Sequence, residues 1–211
     1  RTMLDAGTAP LPDNLSELTL SLGLRRELSP TWTLSLFLRP GFYGDFETLN
    51  GRSFNVPALL LASYRSSDKL TWFLGLNANA FSDNPVMPAL GVRWQFADGW
   101  LLDVGYPRTS VMRKLHEGTR VGIAISAQGG HYRITRSLGI PAPGIDRLAN
   151  TFLDYSEFRV GARWEQNVSP GLTFEVEAGA MIDREFDYFD RNYRIDGGTG
   201  AYGSLVLRGR F

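Results

Sequence analysis

Residues Ala201-Tyr-Gly-Ser-Leu-Val-Leu-Arg-Gly-Arg-Phe211 decide how this chain is read. Written as a strand, they send Leu205, Leu207 and Phe211 to one face and Tyr202, Ser204, Arg208 and Arg210 to the other, with Val206 the misfit. Apolar and charged side chains alternating at a period of two must divide two different environments. The stretch does not say which environment is which, so the answer has to come from the residues upstream.

The same alternation recurs all the way back. Leu172, Phe174, Val176, Ala178 and Ala180 oppose Thr173, Glu175, Glu177 and Gly179, and Phe158, Val160, Ala162 and Trp164 oppose Glu157, Arg159, Gly161, Arg163 and Glu165. Val168-Ser-Pro-Gly171 joins the two as a short turn, while Asp183 to Gly198, rich in Asp, Arg and Tyr, reads as a loop. Further back, Arg136 to Asp154 reads as the longest loop. Val121, Ile123, Ile125 and Ala127 share a face, and Tyr132 and Ile134 resume the pattern out of step, which predicts a bulge at Gly129-Gly130. Trp100, Leu102, Val104 and Tyr106 oppose Asp103 and Gly105, and Leu90, Val92, Trp94 and Phe96 oppose Gly91, Arg93 and Gln95. Leu70 to Phe81, Val56 to Arg65, Trp32 to Arg39 and Leu18 to Arg25 complete the series, with Leu59 to Leu61 leaving the inward set of their strand ambiguous. Gly41 to Phe54 reads as a loop and residues 1–14 as an irregular lead-in to a single domain spanning 1–211.

The tryptophans settle the strand count. All five, Trp32, Trp72, Trp94, Trp100 and Trp164, lie within a few residues of short turns. An indole is apolar with one N–H that wants a polar partner, so it favours a membrane–water boundary. For all five to share one rim, an even number of crossings must separate the turn at 97–99 from that at 167–171. Splitting Trp100 to Leu115 at Pro107-Arg108 gives that number. Eleven strands then become visible, which predicts an all-β, transmembrane up-and-down antiparallel barrel of 10 to 12 strands, with 12 preferred because single-chain bacterial barrels usually have an even count. The N-terminal segment or an upstream strand would supply the twelfth; without the split the count is ten.

Composition narrows the function classes. Lys+Arg and Asp+Glu are 22 each, so a zero net charge argues against a general nucleic-acid binder. Cys is absent, excluding disulfides, Cys-based zinc sites and a thiol nucleophile. The longest apolar run, Ala58-Leu-Leu-Leu-Ala62, falls far short of the roughly 18 residues a membrane helix needs. Arg1 to Gly7 shows no apolar leader, which leaves export open.

A soluble barrel has the same period with its faces inverted. Three features favour the membrane barrel: short turns alternate with longer connections, the tryptophans cluster at the short-turn end, and the polar face carries full charges at mid-strand. Within that reading a basic side chain at the lipid midplane costs roughly 2–4 kcal/mol. The polar faces must therefore point inward. They nominate Arg39, Arg93, Asp103, Glu157, Arg159 and Arg163 as lumen-facing charges, together with Glu165, Glu175, Glu177, Arg208 and Arg210. Arg163 is expected to pair with Glu175 across the turn at 167–171. Trp32, Trp72, Trp94, Trp100, Trp164 and Phe211 form the expected aromatic girdle at the short-turn rim. Phe42, Tyr43, Phe54, Tyr106, Tyr132, Phe152 and Tyr155 form a second girdle at the other rim.

The terminal strand looks like the closing strand of a bacterial outer-membrane β-barrel. Pro57-Ala-Leu-Leu-Leu-Ala-Ser-Tyr-Arg65, Met87-Pro-Ala-Leu-Gly-Val-Arg-Trp94, Leu102-Asp-Val-Gly-Tyr-Pro-Arg108 and Asp183-Arg-Glu185 give the chain more than this. In the order of these segments it resembles an uncharacterised outer-membrane β-barrel family known only as a domain of unknown function. The resemblance implies a fold and a bacterial outer-membrane location, and no activity.

Motifs for other chemistry read as structural. Gly198-Thr-Gly-Ala-Tyr-Gly203 satisfies a dinucleotide pattern but runs into a strand where a helix is needed. His116 lies in a turn, and no spacing sets a Ser or carboxylate beside His131. Asp183, Asp187, Asp190, Asn192 and Asp196 lack calcium-loop spacing and alternate with Arg184, Arg191 and Arg194. The expectation is therefore a monomeric, non-enzymatic narrow channel or small-solute uptake pore with no metal and no cofactor. Its partners would be membrane lipid, lipopolysaccharide phosphates touched by loop Arg, and the barrel assembly machinery. The alternatives are a closed structural or interaction barrel presenting loops 41–55, 136–154 and 183–197, and a membrane-embedded hydrolase.

Overall fold

The computed structural model describes residues 2–3, 9–47 and 51–209. The strands are β1 Thr2–Met3, β2 Asn14–Thr19, β3 Leu22–Glu27, β4 Trp32–Leu38, β5 Gly41–Gly44, β6 Phe54–Asn55, β7 Ala58–Ser67 and β8 Leu70–Ala78. They continue as β9 Val86–Ala97, β10 Trp100–Gly105, β11 Arg108–His116, β12 Thr119–Ile134, β13 Thr151–Ser169, β14 Leu172–Tyr188, β15 Tyr193–Gly197 and β16 Gly200–Gly209. All the pairings are antiparallel except a single parallel bridge between β5 and β12. No helix is long and apolar enough to cross a membrane.

Eleven strands form one meander in the order β3-β4-β7-β8-β9-β10-β11-β12-β13-β14-β16. Among the described residues its end strands, β3 and β16, carry no pairing with each other, so the sheet is not a closed cylinder. It is nevertheless strongly curled. Arg108 on β11 reaches Glu177 on β14 at 3.0 Å, although three strand spacings on a flat sheet would separate them by roughly 14 Å. The face carrying these two residues is the concave one.

Pro107 breaks the chain between β10 and β11, and the register resumes on β11 with Asp103 opposite Ser110. The short turns between β3 and β4, β7 and β8, β9 and β10, β11 and β12, and β13 and β14 all fall at one end of the sheet. The convex face there carries Trp32 against Tyr64 with ring centroids 4.9 Å apart, Trp94 against Phe96 at 5.8 Å, and Trp164 against Phe174 at 5.8 Å.

At the other end the chain departs from the sequence reading in four places. The bulge expected at Gly129-Gly130 is absent: β12 runs in unbroken register with β13 from Thr119 opposite Gln166 to Ile134 opposite Thr151. The apolar set changes face because its surroundings change. Ile123 and Ile125 are exposed on the convex face, whereas Tyr132 and Ile134, on the opposite face of the same strand, are buried in a hydrophobic cluster. The loop expected from Asp183 to Gly198 is largely strand, with β14 continuing to Tyr188 and returning as β15. Asp and Arg at those positions pair across the hairpin, Arg194 with Asp187 at 2.7 Å and with Glu185 at 3.2 Å.

The segment read as the loop 41–54 contains β5 and β6, and the strand expected from Leu18 is split. Yet β2 and β3 keep one register with β5 and β4, Thr19 opposite Gly41 and Leu22 opposite Leu38, bridged by Leu20 N–H donating to Pro40 O at 3.0 Å. They are the two halves of one long hairpin. Its lower half joins the meander through β7, and its upper half crosses to β12, where Gly44 opposes Arg133. Among the described residues the N-terminal segment thus supplies no twelfth meander strand, and Thr2–Met3 pairs with Asn14 and Leu15.

The crossing has room because the β10–β11 hairpin is short, pairing with β12 only up to Ser126 and leaving the upper edge of β12 open. Leu15, Tyr43, Phe81, Tyr132, Ile134, Leu148, Leu153, Phe186 and Tyr188 pack there as a cap. Full burial of each Leu or Ile contributes about 1.5–3 kcal/mol. Of the expected second girdle, Tyr43 and Tyr132 therefore lie inside this cap, Phe152 packs between Phe81 and Phe189, and Tyr155 stacks on Phe186. Phe54 and Tyr106 stay exposed. Burial pushes the Tyr43 hydroxyl above its usual pKa, so it stays a neutral donor to Arg39 O at 2.6 Å.

Candidate functional site

The concave face bounds an open cavity of about 1450 Å³. Its polar wall is built by β13, β14 and β16, whose inward positions are fixed by register: Glu165 opposes Glu175, and Arg163 opposes Glu177. Two carboxylates side by side would repel. Arg163 lies between them, its Nη2 2.5 Å from Glu165 and 2.7 Å from Glu175. The expected Arg163–Glu175 pair is thus present, on the diagonal of the ladder.

Glu175 is a hub. Besides Arg163 it meets Arg208 at 3.1 Å and Arg108 at 3.5 Å. Glu177 accepts from the Tyr202 hydroxyl at 2.8 Å and pairs with Arg108. Glu157, buried, lies against Arg159 and the Tyr155 hydroxyl, with Arg184 Nε at 3.6 Å. Arg159 also covers the Tyr202 ring at 5.0 Å from its centroid. Burying any of these ions alone would be costly; each carboxylate is offset by at least one guanidinium and by hydroxyl or further Arg donors.

Tyr202 crosses two glycines to reach its partners. It opposes Gly179, which opposes Gly161, and a methyl group on Gly161 would overlap the Tyr202 hydroxyl and sit 2.8 Å from Ala178 O. Gly161→Ala is expected to displace the ring from Glu177 and to cost about 1–3 kcal/mol by overpacking. A lower urea midpoint of the purified protein would register this, and an unchanged midpoint would mean that the ring moves freely.

The remaining nominated residues fall into separate groups. Arg93 and Asp103 face each other on β9 and β10 at 2.7 Å and line the cavity. Arg39 binds Glu17 at 2.9 Å near the cap, and Glu17 also accepts from the Tyr132 hydroxyl at 3.1 Å. Glu165 also meets Arg120 at 3.8 Å. Trp100 lies under Arg113, 5.4 Å from the ring centroid. Arg210 and Phe211 lie outside the described residues.

Sequence reading missed Arg108 and Arg184, one assigned to a turn and one to a loop, and missed the apolar half of the cavity. Phe37, Leu59, Leu61, Phe73, Leu101 and Met112 line the wall opposite the ion pairs. Register makes this firm, since Phe37 opposes Leu59, Ser63 opposes Phe73, and Leu101 opposes Met112. The signal was available: Phe37 and Phe73 are bulky apolar residues at polar-face positions of otherwise regular strands. Leu59 and Leu61, ambiguous by pattern, are placed inward by the same ladder.

His131 is also corrected. A carboxylate does lie beside it: Asp154, directly opposite on β13, approaches Nδ1 to 2.7 Å and accepts the Asp83 backbone N–H at 3.4 Å. Linear spacing could not reveal this, because the two residues meet only through the β12–β13 register. The ring pairs with that carboxylate and not with a hydroxyl. The Asp-rich segment disperses likewise, with Asp187 on Arg194 and Asp190 accepting from Phe152 N at 3.3 Å. No group of three or more His, Asp or Glu able to hold a metal occurs among the described residues.

A family model described as "Domain of unknown function (DUF6268)" matches residues 5–195. No curated protein and no solved structure matches the chain.

Proposed function

The chain belongs to that family of unknown function, and since membership supplies no activity, we propose from the geometry that the protein is a monomeric bacterial outer-membrane β-barrel acting as a narrow channel or small-solute uptake pore. One observation carries this reading: the sheet is inside out relative to a water-soluble fold. Leu24, Leu74, Leu90, Ile123, Leu205 and Leu207 are exposed on the convex face, while Glu157, Glu175 and Glu177 are buried on the concave one. Exposed apolar patches beyond a few hundred Å² are rare on soluble monomers, and in lipid they become the favourable surface. The tryptophans at the short-turn end match an interfacial belt. Unpaired strand edges are not tolerated in hydrocarbon, so the reading requires β3 and β16 to close the wall in a bilayer.

In this reading the arginines and glutamates of the polar wall set selectivity, and no catalytic residue, metal or cofactor is assigned. The expected contacts are membrane lipid, lipopolysaccharide phosphates and the barrel assembly machinery. Two measurements test it. Trp72, half exposed, is expected to be quenched by bromine-labelled phospholipid and shielded from aqueous iodide. The purified protein in planar bilayers is expected to give small, discrete conductance steps. Iodide quenching of all the tryptophans would overturn the membrane reading.

The packed cap favours a second reading, a barrel closed at its long-loop end that presents its loops to a partner. A bilayer that stays sealed at high protein load, with the tryptophans in lipid, would select it over the pore.

A further inference from the structure

We infer that the cavity takes an anionic single-chain amphiphile, its head on the arginines of β11, β13 and β16 and its hydrocarbon against the phenylalanine-lined wall opposite. This deepens the uptake-pore reading by naming the class of solute, and it rests on the concave face being the lumen of that pore.

The head site follows from an asymmetry within the ion pairs. Charges on the polar wall nearly balance, but their exposure does not. The side chains of Arg108, Arg159 and Arg208 are 29%, 28% and 59% exposed, whereas those of Glu157, Glu175 and Glu177 are 1–5% exposed. The carboxylates lie beneath and hold the guanidinium groups up. An incoming solute therefore meets the exposed parts of three guanidinium groups before the buried Glu175 and Glu177 beneath them, with Gln128 and the Tyr202 side chain beside, around a recess of about 350 Å³. Guanidinium edges spaced over one recess suit bidentate contact with a carboxylate or phosphate, and a cationic head would find no exposed carboxylate there.

The tail site is the opposite wall. Pro107, Arg108, Gln128 and Arg208 line both the recess and the large cavity, so the two adjoin. Across it stand Phe37, Leu59, Leu61, Phe73 and Leu101, with Phe37 46% exposed into open space and the Arg93–Asp103 pair, its charges matched to each other, set between Phe73 and Leu101. A pore for small ions gains nothing from hydrocarbon on its inner wall, where it orders water without offering a hydrogen bond. Removing that surface from water favours a ligand that is itself apolar at one end. Sites for drug-sized ligands span roughly 300–1000 Å³, so a cavity of about 1450 Å³ has room for an extended chain.

The test uses the full chain in phosphatidylcholine nanodiscs, with empty nanodiscs subtracted, and follows binding of radiolabelled dodecanoate. Saturable binding is expected, displaced by unlabelled dodecanoate but not by dodecyltrimethylammonium, which has the same tail and the opposite head, nor by butyrate, which has the head without the tail. R208Q and R159Q are each expected to weaken binding at least tenfold, and F37N to do so for dodecanoate. Arg208 is the most exposed of the three arginines, so R208Q is the variant least able to disturb folding, and the competition arms need no variant at all. Equal displacement by the cationic amphiphile or by butyrate, or undiminished binding by R208Q and R159Q, overturns the assignment. Conductance separates the two proposals: a protein that forms channels yet ignores dodecanoate overturns the ligand alone, and one that binds dodecanoate in a sealed bilayer overturns the pore alone.

Discussion

Asp45→Ala is expected to undock the cap while leaving the meander intact. The Asp45 carboxylate is buried and accepts three hydrogen bonds from the chain just beyond β12: from Thr135 N at 2.9 Å, from Arg136 N at 2.9 Å and from the Thr135 hydroxyl at 2.8 Å. Its own backbone N–H reaches Arg133 O at 3.4 Å, next to the Gly44–Arg133 bridge. This is the only stretch where the crossing half of the hairpin is hydrogen-bonded to β12 through its backbone among the described residues. Truncation leaves two backbone N–H groups without their acceptor. Buried unsatisfied groups cost about 1–3 kcal/mol each, so the local loss is about 2–4 kcal/mol once partial access to water is allowed. Asp45→Asn keeps one acceptor oxygen and should fall between the two. Amide hydrogen exchange reads the outcome: residues 41–45 and 133–136 should lose protection, while β8 and β9 keep theirs. If the proposed pore reading holds, the same variant should open more often in planar bilayers, because the cap packs at the long-loop end of the cavity. Unchanged exchange at 133–136 would show that the apolar cluster, with Leu15 and Tyr43, suffices to hold the hairpin.

Period-two alternation made the eleven meander strands legible, because the convex side of each is apolar along most of the wall while the concave side carries most of the polar residues. Even the break at Pro107 could be inferred, from the requirement that Trp100 and Trp164 share an end. The cap was illegible for the same reason. Where a strand leaves the wall and enters a packed cluster, apolar residues belong on the other face, so Tyr132 and Ile134 mimicked a bulge and Tyr43 and Tyr132 mimicked a girdle. The extension of β14 to Tyr188 was hidden by Asp183, Arg184, Glu185 and Asp187, which look like loop residues until Arg194 on β15 pairs with two of them, Glu185 and Asp187. Partners distant in sequence were beyond reach altogether: Asp45 with Thr135, Arg108 with Glu177, and His131 with Asp154 depend on curvature and register that no local pattern encodes. The polar wall was half legible, since alternation found Arg163 and Glu175 but could not find the guanidinium that comes from the Pro107 turn.

Glu175→Ala should be the most damaging single change to that wall. Three arginines converge on Glu175, but they do not depend on it equally. Arg108 and Arg208 retain 29% and 59% exposure, so water screens them when the carboxylate is lost. Arg163 is 9% exposed and keeps only Glu165, at 2.5 Å. Losing one partner of a buried pair costs about 3–5 kcal/mol. Here relief of the repulsion between Glu165 and Glu175 offsets part of it, so the lower end of that range is expected, seen as a reduced urea midpoint. Glu175→Gln keeps the shape and one acceptor and should cost less, which makes it the variant for asking about selectivity. It adds one net positive charge to the polar wall without emptying the site. On the proposed pore reading, the reversal potential in a potassium chloride gradient should therefore move toward that of chloride. Combining it with Arg208→Gln removes one charge of each sign and should return the potential to its starting value. A reversal potential that ignores Glu175→Gln would place the ion path away from this wall, leaving the arginine cluster to bind and not to filter.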